Sequence, residues 1–195
     1  ESLEEAIEAY QEILTYNPEH FTTNHNLAML LFRLNKFSEA EQYYQMVLRL
    51  KPDQFDFHIA MGFLLEKLER PAEAEASYCK AIELAPANTR CYIDKGNFLE
   101  RLERYSEAEA AYREAIQLES ESAHCHIAMA RLLGKLERLA EAETAYREAI
   151  RLQPYAAYYH DILATFLEQC ERWDEAETAY YLAYSLDPSN SDYCH

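Results

Sequence analysis

Residues 55–88 read FDFHIAMGFLLEKLERPAEAEASYCKAIELAPAN, and residues 89–122 read TRCYIDKGNFLERLERYSEAEAAYREAIQLESES. Written one above the other, the two stretches place Gly62 over Gly96, Leu65 over Leu99, Ala74 over Ala108 and Tyr78 over Tyr112. The same 34-residue step extends in both directions. Alanine recurs at Ala6, Ala40, Ala74, Ala108, Ala142 and Ala176, and tyrosine at Tyr10, Tyr44, Tyr78, Tyr112, Tyr146 and Tyr180. Proline recurs at Pro18, Pro52, Pro86, Pro154 and Pro188, with Ser120 on the remaining point. A fixed period of this length belongs to stacked supersecondary units, each too small to bury its own apolar face, rather than to one closed core.

Within a unit the apolar residues fall twice at helical spacing. Ile59, Gly62, Phe63, Leu65 and Leu68 form one stripe, and Ala74, Tyr78, Ala81 and Ile82 form another. A short charged turn separates them, Glu69-Arg70 in one unit and Glu103-Arg104 in the next. Pro71 stands where a first helical turn tolerates proline. The lattice prolines stop the second helix, and Asn88 and Asn190 are suited to start the next. Three glycines and six prolines in 195 residues leave little material for hairpins or long loops. The chain therefore divides into a lone second helix within residues 1–20, complete repeats at 21–54, 55–88, 89–122, 123–156 and 157–190, and the start of a further repeat at 191–195. Glu1 lies on the lattice of Glu69, Glu103, Glu137 and Glu171, so the sequence opens in mid-repeat and reads as a segment of a longer array. Small residues at Ala28, Gly62, Gly96, Ala130 and Ala164 are expected to face the lattice alanines and let paired helices approach closely.

These residues resemble the tetratricopeptide repeat family, whose pattern sets a small residue, alanine, an aromatic, alanine and proline at fixed offsets. Residues 89–122 carry the pattern as Gly96, Leu99, Tyr105, Ala108, Tyr112 and Ala115, and residues 157–190 as Ala164, Trp173, Ala176, Tyr180, Ala183 and Pro188. Two departures stand out. The turn where the family often has glycine holds Asn35, Glu69, Glu103, Glu137 and Glu171, and the first-helix aromatic is replaced by Asn24, His58, His126 and His160, with Tyr92 alone retained. The resemblance implies an all-α, right-handed α-solenoid of antiparallel helix pairs, whose first helices line a concave groove that takes a peptide or a partner helix.

The groove positions implied by the repeat are Asn26, Met29, Phe63, Asp94, Asn97, Arg101, Arg131, Asp161 and Thr165, with His25, Ile59, Ile93 and Ile127 beside them. A basic ladder of Arg33, Lys67, Arg101 and Lys135 runs next to an acidic one of Glu66, Glu100 and Glu168. With Arg90, Arg131, Asp56, Asp94 and Asp161 the region balances near neutrality, while the whole chain carries −17. Ion pairs within helices and turns are the plainer reading of both ladders. The excess acid sits on second helices and turns, where it serves solubility or attracts a basic partner.

The acidity argues against nucleic acid or an anionic membrane as a partner, because both need a cationic surface. No apolar run approaches the roughly 20 residues of a membrane span. Five cysteines without a framework pattern point to free thiols, a reducing compartment and a cytoplasmic location. His58, His126 and His160 lie in different repeats with no ligand at a common offset, so hydrogen-bonded packing at the seam is expected rather than a metal site. No phosphate loop or nucleophile elbow is present, and neither cofactor nor catalysis is expected. The leading expectation is a protein-interaction scaffold that binds a protein or peptide. The alternatives are a substrate-docking arm of a larger enzyme, such as a glycosyltransferase, and a self-assembling scaffold joined end to end through residues such as Tyr181, Leu182 and Tyr184.

Overall fold

The structure, a computed structural model, describes residues 3–189. Those residues form eleven α-helices and no strand. In chain order they are α1 (Leu3–Tyr16), α2 (Phe21–Arg33), α3 (Phe37–Leu50), α4 (Phe55–Lys67), α5 (Pro71–Leu84), α6 (Thr89–Arg101), α7 (Tyr105–Leu118), α8 (Ala123–Lys135), α9 (Leu139–Leu152), α10 (Ala157–Gln169) and α11 (Trp173–Leu186). First helices of 13 residues alternate with second helices of 14, as two short amphipathic segments per period require. Pro71 occupies the first turn of α5. Asn88 accepts the backbone N–H of Arg90 at 3.0 Å and so starts α6, whereas Asn190 and the stub at 191–195 lie outside the described residues.

The chain separates into two compact units, divided between Lys95 and Gly96. Each unit is built of helix pairs around an apolar seam. In the first, Leu27, Leu31, Val47, Ile59, Leu64 and Tyr78 are essentially inaccessible; in the second, Phe98, Leu99, Tyr112, Leu132 and Ala149 are.

The lattice glycines have a further role beside the one expected. A Cβ at Gly62 would lie 2.8 Å from the ring of Tyr78, and one at Gly96 would lie 2.5 Å from the ring of Tyr112, so the missing side chain also makes a slot for the tyrosine. The lattice alanines are still fully buried, from Ala40 through Ala142.

The turn between paired helices is the same in every repeat. Asn35, Glu69, Glu103, Glu137 and Glu171 hold φ between 57° and 59°, the left-handed region. The next residue's N–H then reaches back to the first helix: Arg70 to the Leu65 carbonyl at 3.0 Å, Arg104 to Leu99 at 2.9 Å, Arg138 to Leu133 at 3.0 Å and Arg172 to Leu167 at 3.0 Å. This arrangement satisfies orphan carbonyls at a helix end and favours glycine at the left-handed position. A glutamate there is strained by about 1–2 kcal/mol, part of which glycine returns through greater freedom in the unfolded chain. Glu103→Gly and Glu137→Gly are each expected to stabilise by roughly 0.5–1 kcal/mol. Urea denaturation followed by circular dichroism checks this, and a loss of stability in both variants would refute it.

Candidate functional site

A repeated polar contact accounts for the first-helix departures. Asn24 donates its side-chain N–H to the Pro18 carbonyl at 2.9 Å, and Tyr92 its hydroxyl to the Pro86 carbonyl at 3.0 Å. The Nε2 atoms of His58, His126 and His160 lie 2.7, 2.9 and 2.9 Å from the carbonyls of Pro52, Ser120 and Pro154. Asparagine, histidine and tyrosine share one property here, an N–H or O–H that reaches six residues back. The histidines are thus seam residues, and among the described residues no group of three His, Cys, Asp or Glu side chains is placed to hold a metal ion.

The acidic ladder has a different role from the one its spacing suggests. Tyr78 donates to Glu66 at 2.5 Å, Tyr112 to Glu100 at 3.0 Å and Tyr180 to Glu168 at 2.8 Å. Each carboxylate thus receives the hydroxyl of the lattice tyrosine on the paired helix. Glu100 is only 5% exposed and also pairs with Lys135, a partner 35 residues away rather than on its own helix. The expected turn ion pairs do occur, but at other residues. Arg70, Arg104, Arg138 and Arg172 each grip the glutamate three residues on, with Nη2–Oε2 distances of 2.6 Å throughout. Arg70, Arg138 and Arg172 also bridge to Glu41, Glu109 and Glu143 on the preceding second helix. Hydrogen bonds to two carboxylates hold these guanidinium groups more firmly protonated than usual, and hold Glu73, Glu141 and Glu175 below the ordinary carboxylate range.

The groove candidates separate by burial. Ile59, Ile93 and Ile127 are 1%, 5% and 3% exposed, so these three belong to the core and not to a binding face. His25 stacks on Phe21 and meets Phe57 edge-on. Unit one contributes Asn26, Met29, Phe63 and Asp94. Met29 is exposed, Asn26 is half-buried, and Phe63 is half-buried with its ring edge-on to Tyr78. The Asp94 carboxylate is mostly covered and lies 3.3 Å from Nε of Arg90. Unit two contributes Asn97, Arg101, Arg131, Asp161 and Thr165. Arg101, Arg131 and Thr165 are exposed, while Asn97 and Asp161 are half-buried. Asn97 accepts the Tyr112 hydroxyl through Oδ1 at 2.8 Å, and Thr165 lies 3.3 Å from the Tyr180 hydroxyl.

Repeat pattern alone did not reveal the tyrosine-to-carboxylate bonds. The available signal was a fixed offset of twelve residues between Glu66 and Tyr78, Glu100 and Tyr112, and Glu168 and Tyr180. Tyr146 has Gly134 at that offset and packs instead against Phe166, ring centroids 5.1 Å apart.

Among the described residues Cys79, Cys91, Cys125 and Cys170 are free thiols, and burial pushes the Cys91 thiol up to about 11. No helix of the described residues is long and apolar enough to cross a membrane. Exposed apolar side chains collect on α1, at Leu3, Ile13 and Tyr16, and on α11, at Trp173, Tyr181, Leu182 and Tyr184.

One tetratricopeptide repeat family model matches residues 1–62, and a second matches residues 59–123 and 127–191. No curated protein sequence matches the chain. Among solved structures the chain is similar to the pilF protein of Pseudomonas aeruginosa, with 20% identity and a TM-score of 0.68 over 99% of this chain and 82% of that one. It is also similar to residues 41 to the end of MamA from Desulfovibrio magneticus RS-1, with 19% identity and a TM-score of 0.66 over 87% and 96%. A third likeness is to YrrB, described as a TPR protein with an unusual peptide-binding site, at 20% identity and a TM-score of 0.59 over 97% of each chain. At these identities the likeness is one of fold.

Proposed function

Because the chain belongs to the tetratricopeptide repeat family, a family of protein-interaction scaffolds, we propose that it binds a partner peptide or helix along the faces of its first helices. One observation carries this reading. The lattice positions of the core repeat a residue type, alanine at 40, 74, 108 and 142 and tyrosine at 44, 78, 112 and 146. The neighbouring row at Met29, Phe63, Asn97, Arg131 and Thr165 has a different residue in every repeat, and none of the five is fully buried. Within each unit, identical cores with a variable accessible row, Met29 and Phe63 in the first and Asn97, Arg131 and Thr165 in the second, are what a surface needs if neighbouring repeats recognise different parts of a partner. The fold alone does not select that partner.

We take the chain to act by binding rather than by catalysis, with Tyr112 and His126 engaged in contacts that hold its helices together, and its free thiols favour a reducing, cytoplasmic setting.

Peptides selected from a random displayed library against the whole chain provide the test. Replacing Asn97 and Arg101 together by alanine is expected to weaken the selected peptides at least tenfold while leaving the helical signal unchanged. Selected peptides that keep full affinity for this variant, but lose it when exposed second-helix residues such as Glu114 and Gln117 are replaced, would overturn the assignment.

A further inference from the structure

The outer face of α11 departs from the repeat. At two adjacent lattice positions the preceding second helices of the same unit carry charge, Arg113 and Glu114 on α7 and Arg147 and Glu148 on α9. On α11 the same positions hold Tyr181 and Leu182. A first helix packed behind does not cover such positions: the Arg147 side chain is 58% exposed although α10 packs on α9. Tyr181, 70% exposed at the equivalent place, therefore belongs to the outer surface and not to the face that a neighbouring repeat covers. Leu182 lines a cleft of about 440 Å³ that α9, α10 and α11 share, together with Ile150, Leu163, Leu167 and Ala179. The cleft one period earlier has Glu148 in place of Leu182, tied to Arg151 at 2.8 Å. The chain thus makes one of two equivalent clefts apolar. Beside it, Arg147 and Arg172 are neutralised by Glu143 and Glu175. Asp174 and Glu177 are exposed within two helical turns of Tyr181, make no ion pair with any described residue, and share α11 with no lysine or arginine.

We infer that this cleft is a second docking surface, for a basic amphipathic helix whose aliphatic side chains fill the space at Leu182 and whose lysines or arginines meet Asp174, Glu177 and the ring of Tyr181. It lies on second helices and does not depend on the first-helix faces. A groove between neighbouring helices suits an amphipathic helix, which brings apolar side chains to it at i, i+3 and i+4. The exposed rings of Tyr181 and Trp173 attract cationic side chains over their faces. Charge then selects the occupant. A second copy of the chain is the poorer fit, because α1 carries Glu4, Glu5, Glu8 and Glu12 and, like α11, has no lysine or arginine. Copies meeting through these helices bring like charges together. An anionic membrane meets the same repulsion.

The probe is an acetylated, amidated and fluorescently labelled octadecapeptide of leucine and lysine with the leucines at helical spacing. Its controls are a scrambled peptide of the same composition and a leucine–glutamate counterpart. Fluorescence anisotropy with the intact chain is expected to show the amphipathic leucine–lysine peptide binding at least tenfold more tightly than the scrambled one, which shares its charge. Tyr181→Arg combined with Leu182→Glu installs the pair that α9 carries and leaves the net charge at −17. This double variant is expected to abolish the tenfold difference, and an unchanged thermal melt is expected to show that its fold is kept. Leu182→Ala, a smaller change, should weaken the amphipathic peptide severalfold, as should Asp174→Asn with Glu177→Gln. Replacing Asn97 and Arg101 by alanine should leave it unaffected. Equal binding of the amphipathic and scrambled peptides, a difference that survives the double variant, tighter binding of the leucine–glutamate peptide, or no binding at millimolar concentration would each overturn the inference. Loss of the peptide on Asn97 and Arg101 replacement would place it on the first-helix face, so that reading would stand and this one would fall. A dimer in sedimentation that the double variant dissolves would give the cleft to a second copy, and the inference would fall as well.

Discussion

Tyr112→Ala is expected to destabilise the second unit by about 3–5 kcal/mol, the cost of removing a large fully buried side chain and leaving its volume unfilled. Its slot is shaped from both sides. Gly96 lacks a side chain because a Cβ there would sit 2.5 Å from the ring, and the hydroxyl end is held by Asn97 and Glu100. Tyr112→Phe keeps the ring and removes the shared proton from a carboxylate that is only 5% exposed, so a loss of about 1–3 kcal/mol is expected. Tyr180→Phe provides the contrast. Its partner Glu168 is exposed, water replaces the lost donor, and the change should fall below about 1 kcal/mol. Chemical denaturation read by circular dichroism and by the single tryptophan, Trp173, which lies in the same unit, measures all three. A Tyr112→Ala variant within about 1 kcal/mol of the parent would show that the ring is not a keystone of the seam.

Alkaline pH is expected to unfold the chain cooperatively. Burial raises the Tyr44 hydroxyl and pushes Tyr146 up to about 12. Tyr112 is raised further, first by burial and then by the negative charge and hydrogen bond of Glu100. The folded state therefore holds protons that the unfolded chain releases near pH 10. The stability from this source is complete below about pH 10 and falls as the pH rises from there towards 12. Tyrosinate absorbance and helical ellipticity recorded together should change in one shared transition, because these rings ionise on unfolding. Tyr146→Phe removes one of the titrating groups and should move the alkaline midpoint upward relative to its neutral-pH stability. A smooth titration of all sixteen tyrosines with the helices retained would contradict this account.

The fold was legible in the sequence because its information is repeated: alanine at 74, 108 and 142 and tyrosine at 78, 112 and 146 each recur on the same lattice, so no single ambiguous position decides anything. The inward direction of side chains was less legible. Ile59, Ile93 and Ile127 share a stripe with the accessible row, and only packing shows that they point into the seam. The fit of the Tyr78 and Tyr112 rings against Gly62 and Gly96 was not legible, because spacing along a helix does not say which side chains of the opposing helix come nearest. The glutamate ladder was only partly read for a related reason: Glu100 does pair with the ladder cation Lys135, but not on its own helix. A carboxylate beside a cation reads as an ion pair, and the tyrosine proton that actually reaches Glu66 and Glu100 arrives from another helix. The candidate site inherits this limit: the identities at 97 and 131 were visible, but the direction in which Asn97 turns its amide was not.

The contact that closes each inter-repeat turn uses a backbone carbonyl as its acceptor, and every amino acid supplies one. That is why Ser120 serves His126 as well as Pro154 serves His160. Excision of residues 123–156 would join Ser122 to Ala157 and bring the His160 ring to the Ser120 carbonyl at the same six-residue reach. The joint is indifferent to which repeat stands on either side of it. The number of repeats is therefore a quantity that whole-period duplication or loss can change without inventing a new junction, so the length of the helical array can vary while its building rule stays the same.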